Sequence, residues 1–159
     1  MKIQTYNNVK LDEMGIPLEK ANIVTKKYAH CNQSLHLSTH LLMINQSNEI
    51  LCRLRGEDES RYPGLLTTTI GTHVELNENY LSTLQKYIPF ELQLMWHGEF
   101  RVDDGFENEV CGLYMATIDS NKLPLEFKSD RRFLSKNDLE NMIKKGKTTP
   151  HLQEAFYIL

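Results

Sequence analysis

At 159 residues, 40% apolar and 25% charged, the chain is long enough for one domain with a full hydrophobic core. A formal charge of −3 and a pI near 6.1 give no electrostatic reason to expect nucleic acid as a partner. There is no signal-peptide pattern and no apolar run of about 18 residues, so a cytoplasmic protein with no membrane partner is expected. Three widely spaced cysteines, Cys31, Cys52 and Cys111, make neither a disulfide framework nor a zinc site. Repeats, linkers and low-complexity tracts are absent, and residues 1–159 read as a single domain.

The first 30 residues read as a strand and turn segment. Lys2-Ile3-Gln4-Thr5-Tyr6 suits a short edge strand. Leu11 to Pro17 reads as a strand end and turn, punctuated by Asp12 and Gly15. Lys20 to Tyr28 is a weak strand or a single helical turn. Leu37 to Ile44 is a clear strand, followed by the hairpin turn Asn45-Gln46-Ser47-Asn48. Glu49 to Arg55 pairs back, and its alternation sets Arg53 and Arg55 on one face. A charged loop, residues 56–61, comes next.

From Tyr62-Pro63-Gly64 the chain reads as a Pro-Gly turn, a β run from Leu65 to Ile70, a Gly71-Thr72-His73 turn and a helix. Gly71 suits a tight turn or a close approach to a ligand. Asn77 is a candidate N-cap, with Glu78 in the first turn. Tyr80, Leu81, Leu84, Tyr87 and Ile88 recur at helical spacing. Pro89 should kink or end that helix near Ile88. Leu92 to Phe100 and Glu109 to Ile118 read as antiparallel strands, and Phe127 to Leu134 as a further strand. Ser135 caps a helix with Asp138 at its third position, and Leu139, Met142 and Ile143 form its buried side. Gly146 ends it. Thr149-Pro150 starts a last helix to Leu159.

Residues 62–91 resemble the motif of the Nudix superfamily, a Gly and a Glu ahead of a carboxylate-rich, metal-holding helix. Glu78 fits the first Glu, but Thr72 stands for the Gly. In the helical part Lys86, Tyr87, Phe90 and Gln93 replace family residues, and only Glu91 keeps its carboxylate. Isopentenyl diphosphate isomerases carry a similarly depleted helix ending in an aromatic residue and Glu, which Phe90-Glu91 resembles. Upstream, Lys27-Tyr28-Ala29-His30 and Leu35-His36-Leu37 are similar to the isomerase segment with two metal-binding histidines, one residue shorter in spacing. His73 falls at the third histidine, and Glu107-Asn108-Glu109-Val110-Cys111 copies the segment with two metal-binding glutamates.

The resemblance covers roughly residues 10–158 and implies an α/β fold, the Nudix α/β/α sandwich with a mixed β-sheet. It implies Mg2+ or Mn2+ held by His30, His36, His73, Glu107 and Glu109, with Glu91 as a further ligand. Glu109 and Glu91 would be the catalytic carboxylates. Lys27 and Arg55, with Arg53 beside them, would grip a diphosphate, whereas Glu59 and Tyr87 stand where the family has cations. The isomerase's catalytic cysteine is replaced by Gly71, and its C-terminal aromatic by His151. Each candidate has an ordinary reading too. His36 and His40 share a strand face, as do Glu107 and Glu109, and any of them alone is usually structural. His97 and His151 read as structural, and Cys31 as an idle thiol. The expectation is a monomeric or homodimeric enzyme acting on a small-molecule diphosphate, hydrolase-like or isomerase-like. The alternative is a catalytically inactive domain that binds a nucleotide or diphosphate.

Overall fold

A single strand, Leu35–Asn45 (β3), positions everything else. The computed structural model describes residues 1–6 and 22–159; the expected turn at Leu11 to Pro17 lies outside them. Before β3 come β1 (Lys2–Tyr6), β2 (Asn22–Thr25) and a short helix, α1 (Lys26–Cys31). After it come β4 (Ile50–Leu54), β5 (Leu66–Thr67), β6 (Ile70–His73), α2 (Tyr80–Gln85), β7 (Met95–Asp103) and β8 (Asn108–Ile118). A 3-10 turn (Ser120–Lys122), α3 (Leu125–Lys128), β9 (Arg131–Leu134), α4 (Lys136–Lys144) and α5 (Pro150–Tyr157) close the described chain.

A strand has two hydrogen-bonding edges, and β3 uses both. One edge is taken along ten residues by β8, in parallel, from His36↔Glu109 to Asn45↔Ile118. The other is shared in turn by β1 at Leu35 and His36, β6 at Ser38 to Leu41, and β4 at Met43 and Ile44, all antiparallel. The sheet is therefore mixed. Parallel pairing needs cover on both faces, and nearly every residue of β3 is buried. One face carries Leu37, Leu41, Met43, Tyr114 and Ala116 under Tyr80 and Leu84 of α2 and Phe127 of α3. The opposite face carries Leu42, Cys52, Cys111 and Leu113 under Leu139 and Ile143 of α4 and Leu152 and Ala155 of α5. This is an α/β/α sandwich.

Tight packing sets two glycines. A Cβ at Gly112 would lie 2.7 Å from the Tyr80 ring, and one at Gly71 would lie 2.7 Å from Nδ1 of His40. Gly71 is thus inside β6, opposite His40, rather than in a turn, and the expected run from Leu65 to Ile70 is split into β5 and β6.

Other expectations shift for local reasons. β1 lies between β2 and β3, so β2 is the outer strand. The cap of α2 is Asn79, whose side chain accepts from Ser82 N while Ser82 Oγ accepts from Asn79 N. Asn77 instead adopts φ +63°, leaving Glu78 outside the helix. Lys86 caps the C-terminus, so the helix ends a few residues before Pro89. Phe127 belongs to α3, and only Arg131–Leu134 is strand. Ser135 and Thr149 cap α4 and α5, with Pro150 in the first turn of α5. Among the described residues no helix is long and apolar enough to cross a membrane.

Candidate metal centre

Opposed residues in a sheet point to the same side. His36, Ser38 and His40 therefore share a face with Glu109, Cys111 and Leu113 of β8, and with His73 and Gly71 of β6. Further along β3 this face is apolar and covered by α4 and α5. At its beginning it is polar and opens into a cleft of about 300 Å3, lined among others by His30, His73, Glu107, Glu109 and His151.

Three imidazoles and two carboxylates meet there. Glu109 Oε1 lies 3.3 Å from Nε2 of both His36 and His73. His30 Nε2 lies 3.0 Å from His73 Nε2, and His30 Nδ1 3.3 Å from Glu107 Oε2. His36 donates Nδ1–H to the Ser34 carbonyl at 2.7 Å, so its Nε2 lone pair faces the cluster, the arrangement found behind metal-bound histidines. His36 Nε2 and Glu107 Oε2 are buried without a hydrogen-bond partner. Metal–ligand bonds of about 2.0–2.2 Å give neighbouring donors roughly 3 Å apart, so the present residues fit a divalent ion. Ligand atoms of His30, His36, His73 and Glu107 are mutually close enough to hold one.

Electrostatics follow burial and neighbours. Burial favours the neutral acid of Glu109, but His151, His36 and His73 hold its carboxyl well below the usual range. Burial works against protonation of His36, yet Glu109, Ser34 and Glu107 outweigh it and raise its pKa. Burial, despite Glu109, lowers that of His73. His40 is pushed down to about 3, chiefly by burial.

A pH dependence of the metal-free protein follows. A free histidine titrates near 6.5, so below that value the unfolded chain takes up a proton that folded His40 refuses. Stability contributed by neutral His40 is present above about pH 6.5 and lost as pH falls toward 3. His73 acts in the same sense. His36 opposes them, stabilising below its unfolded pKa and losing that contribution as pH rises through its raised folded value. His40 dominates, so lowering pH from 7 to 5 should cost about 2 kcal/mol. Urea unfolding at both pH values measures this, and an unchanged midpoint would contradict it.

The other expected site residues divide. Arg53 and Arg55 line the cleft, each bound at 3.1 Å by one oxygen of Glu59. Arg53 also donates to Asp130 at 2.8 Å. Lys26 rather than Lys27 lines the cleft. Glu91 lies exposed in the loop after α2 and joins neither the cleft lining nor the His–Glu cluster. Glu78 is engaged by Lys86 at 2.7 Å, and Tyr87 donates to Glu75. Cys31 is exposed. His97 bonds the Ile158 carbonyl, as a structural residue does.

His151, expected to be structural, is buried in the cleft, with Nε2 3.1 Å from Glu109 Oε2. Its place opposite a family aromatic was the available signal. Arg61 was missed; its Nε is 3.9 Å from Glu107 Oε1, and nothing in a charged loop distinguishes it from its neighbours.

Solved structures share this architecture. A Deinococcus radiodurans protein aligns with 99% of this chain and 98% of its own at TM-score 0.71 and 13% identity. The MutT Nudix hydrolase of Burkholderia pseudomallei aligns with 79% of this chain and 98% of its own, at TM-score 0.60 and 16% identity. The chain thus has the Nudix fold. No family model matches it. In sequence it is similar to isopentenyl-diphosphate Delta-isomerases. That of Paenarthrobacter aurescens is 29% identical over 122 residues, 69% of this chain and 65% of that one, so the match spans just under two thirds of the relative. That of Klebsiella pneumoniae strain 342 is 28% identical over 164 residues, 95% and 86% of the two chains. The chain thus combines the Nudix fold with a sequence similar to isopentenyl-diphosphate Delta-isomerases.

Proposed function

We propose that this chain is a divalent-metal-dependent enzyme acting on a small diphosphate-containing metabolite, with Mg2+ or Mn2+ held by His30, His36, His73, Glu107 and Glu109. The observation that carries the proposal is the convergence of three imidazoles and two carboxylates in which the buried atoms His36 Nε2 and Glu107 Oε2 make no hydrogen bond, in a cleft also lined by Lys26, Arg53, Arg55 and Arg61. When bound, a divalent ion there supplies Lewis acidity toward a phosphoryl oxygen. The arginines orient the diphosphate by charge-assisted hydrogen bonds. Glu59, bridging Arg53 and Arg55, keeps them extended until phosphate oxygens replace it. Glu109 accepts and returns a proton, with His151 fixing one of its oxygens.

Hydrolysis is the better supported of the two reaction classes. Moving a double bond needs two positioned proton-transfer groups on opposite sides of a carbon framework. Residue 71 has no side chain, and His40, the ring filling that space, stays neutral at physiological pH. The expected result is metal in the purified protein and metal-dependent phosphate release from some nucleoside or isoprenoid diphosphate. Little or no dimethylallyl product should form from isopentenyl diphosphate. Robust isomerisation abolished by Cys31→Ala would overturn this choice and identify a substitute thiol.

A binding domain without catalysis is the second reading. It is favoured by the state of the carboxylates near α2, since Glu78 is tied to Lys86 and Glu91 stands outside the cleft lining. Tight diphosphate binding without turnover across the screen would establish it.

A further inference from the structure

We infer that the cleft holds a second, softer metal position behind the first, formed by His40, Glu109, Cys111 and His151, the two positions being joined through the carboxylate of Glu109. This rests on the metal-dependent reading of the first cluster, because Glu109 is common to both.

The division of Glu109 is the starting observation. Oε1 faces His36 and His73, each at 3.3 Å. Oε2 faces the other way, 3.1 Å from His151 Nε2 and 3.8 Å from Cys111 Sγ. A carboxylate with one oxygen in each of two donor clusters is poised to bridge. Strand geometry builds the second cluster, since Cys111 follows Glu109 by two residues and His40 lies on the same face of β3. His40 and His151 stack with centroids 5.1 Å apart. One donor atom from each of the four residues lies within 4.8 Å of the others, and all four residues are buried.

The surrounding hydrogen bonds set His40 as a ligand requires. Thr68 gives its hydroxyl proton to the Ile70 carbonyl at 3.1 Å, so its oxygen accepts Nδ1–H of His40 at 2.9 Å. With Nδ1 so engaged, the ring is held with Nε2 turned toward Ser38 and the other donors, as the partners behind metal-bound histidines hold them. Ser38 Oγ, 3.1 Å from both His40 Nε2 and Cys111 Sγ, marks the gap between those two donors. A tetrahedral ion with bonds of about 2.0–2.3 Å sets its donors roughly 3.3–3.8 Å apart, which the Glu109–His151 and Glu109–Cys111 separations already approach.

The donor set selects the ion. Two imidazoles, a thiol and a carboxylate suit a borderline-soft ion such as Zn2+ or Co2+, whereas the first cluster, of imidazoles and carboxylates only, accepts Mg2+ or Mn2+ as well. Binding exchanges the Cys111 proton for the metal: the S–H bond breaks, an S–metal bond forms and the proton leaves to solvent. Ser38, His40, Glu109 and His151 all line the cleft, which supplies the route in.

Cobalt distinguishes the two positions without any activity measurement. The metal-free protein is titrated with Co2+ and followed by absorption and by equilibrium dialysis. Two ions should bind per chain, one giving the near-ultraviolet thiolate-to-cobalt charge-transfer band. Cys111→Ser should remove that band and one equivalent, and His40→Ala should weaken the same equivalent at least tenfold with the thiol still present. Cys31→Ser and Cys52→Ala are controls that should retain it. His36→Ala should lose the other equivalent and keep the band. A wild-type protein binding one ion with no thiolate band overturns the second position and leaves the first. A band that persists in Cys111→Ser overturns the assignment. Co2+ binding unaffected by His36→Ala overturns the first position instead.

Discussion

Glu109→Gln is expected to lower diphosphate turnover by about 10²–10⁴-fold, the usual contribution of a positioned acid–base group, and to strip the protein of retained metal. The substitution conserves volume but removes a buried charge that touches His36 and His73 at 3.3 Å and His151 at 3.1 Å. It also sets an amide N–H where two imidazole nitrogens and the carboxylate had converged. The fold should survive, because the glutamine can still accept from His151. Metal content after dialysis and phosphate release after metal addition measure both effects. A variant that keeps its metal and turns over within a few-fold of the parent would remove Glu109 from the machinery.

Gly71→Ala should cost about 1–3 kcal/mol of stability, the range for forcing one extra carbon into a packed site. The new Cβ would sit 2.7 Å from His40 Nδ1 and 3.1 Å from Thr68 Oγ1. His40 cannot swing away cheaply, since it is stacked on His151 and tilted against Phe100 and bonded to Thr68. Breaking that bond accounts for about 1 kcal/mol of the loss. The same contact bars a cysteine at 71 as well. In a His40→Ala background the glycine substitution should become nearly neutral, a coupling of at least about 0.5 kcal/mol. Additive losses in the double variant would show that the ring is not the obstacle.

The strands and most helix ends were legible because they depend on local chemistry: alternation in β3, the Asn45 to Asn48 turn, and caps at Ser135 and Thr149. The five residues of the His–Glu cluster were legible through resemblance. Their convergence was expected from the same resemblance and from no local pattern, because it depends on a parallel register between strands far apart in sequence. Asn77 misled as a cap because Asn also tolerates positive φ, and Asn79, two residues on, offers the same side chain. Lys26 and Lys27 are adjacent on a short helix, and a one-residue spacing shift obscures which of them lines the cleft. Glu91 was carried by its motif position, yet the helix that would have presented it stops at Gln85. His151 and Arg61 are set by where α5 and the 56–61 loop pack, and neither has a local signature.

The parallel pairing of β3 with β8 also bears on how the cluster is assembled. Ser38 and Cys111 are 73 residues apart, and no hairpin can deliver such a pair. Closing a loop of that length is entropically costly and makes for slow folding. The histidines of α1, β3 and β6 can gather early, since β3 meets β6 through a much shorter connection. Glu107 and Glu109 arrive only with β8. A chain emerging from the ribosome would therefore display an imidazole patch before any carboxylate reaches it. That patch by itself prefers copper or nickel to magnesium, so the pairing of β8 with β3 is also the step that turns its preference toward harder ions.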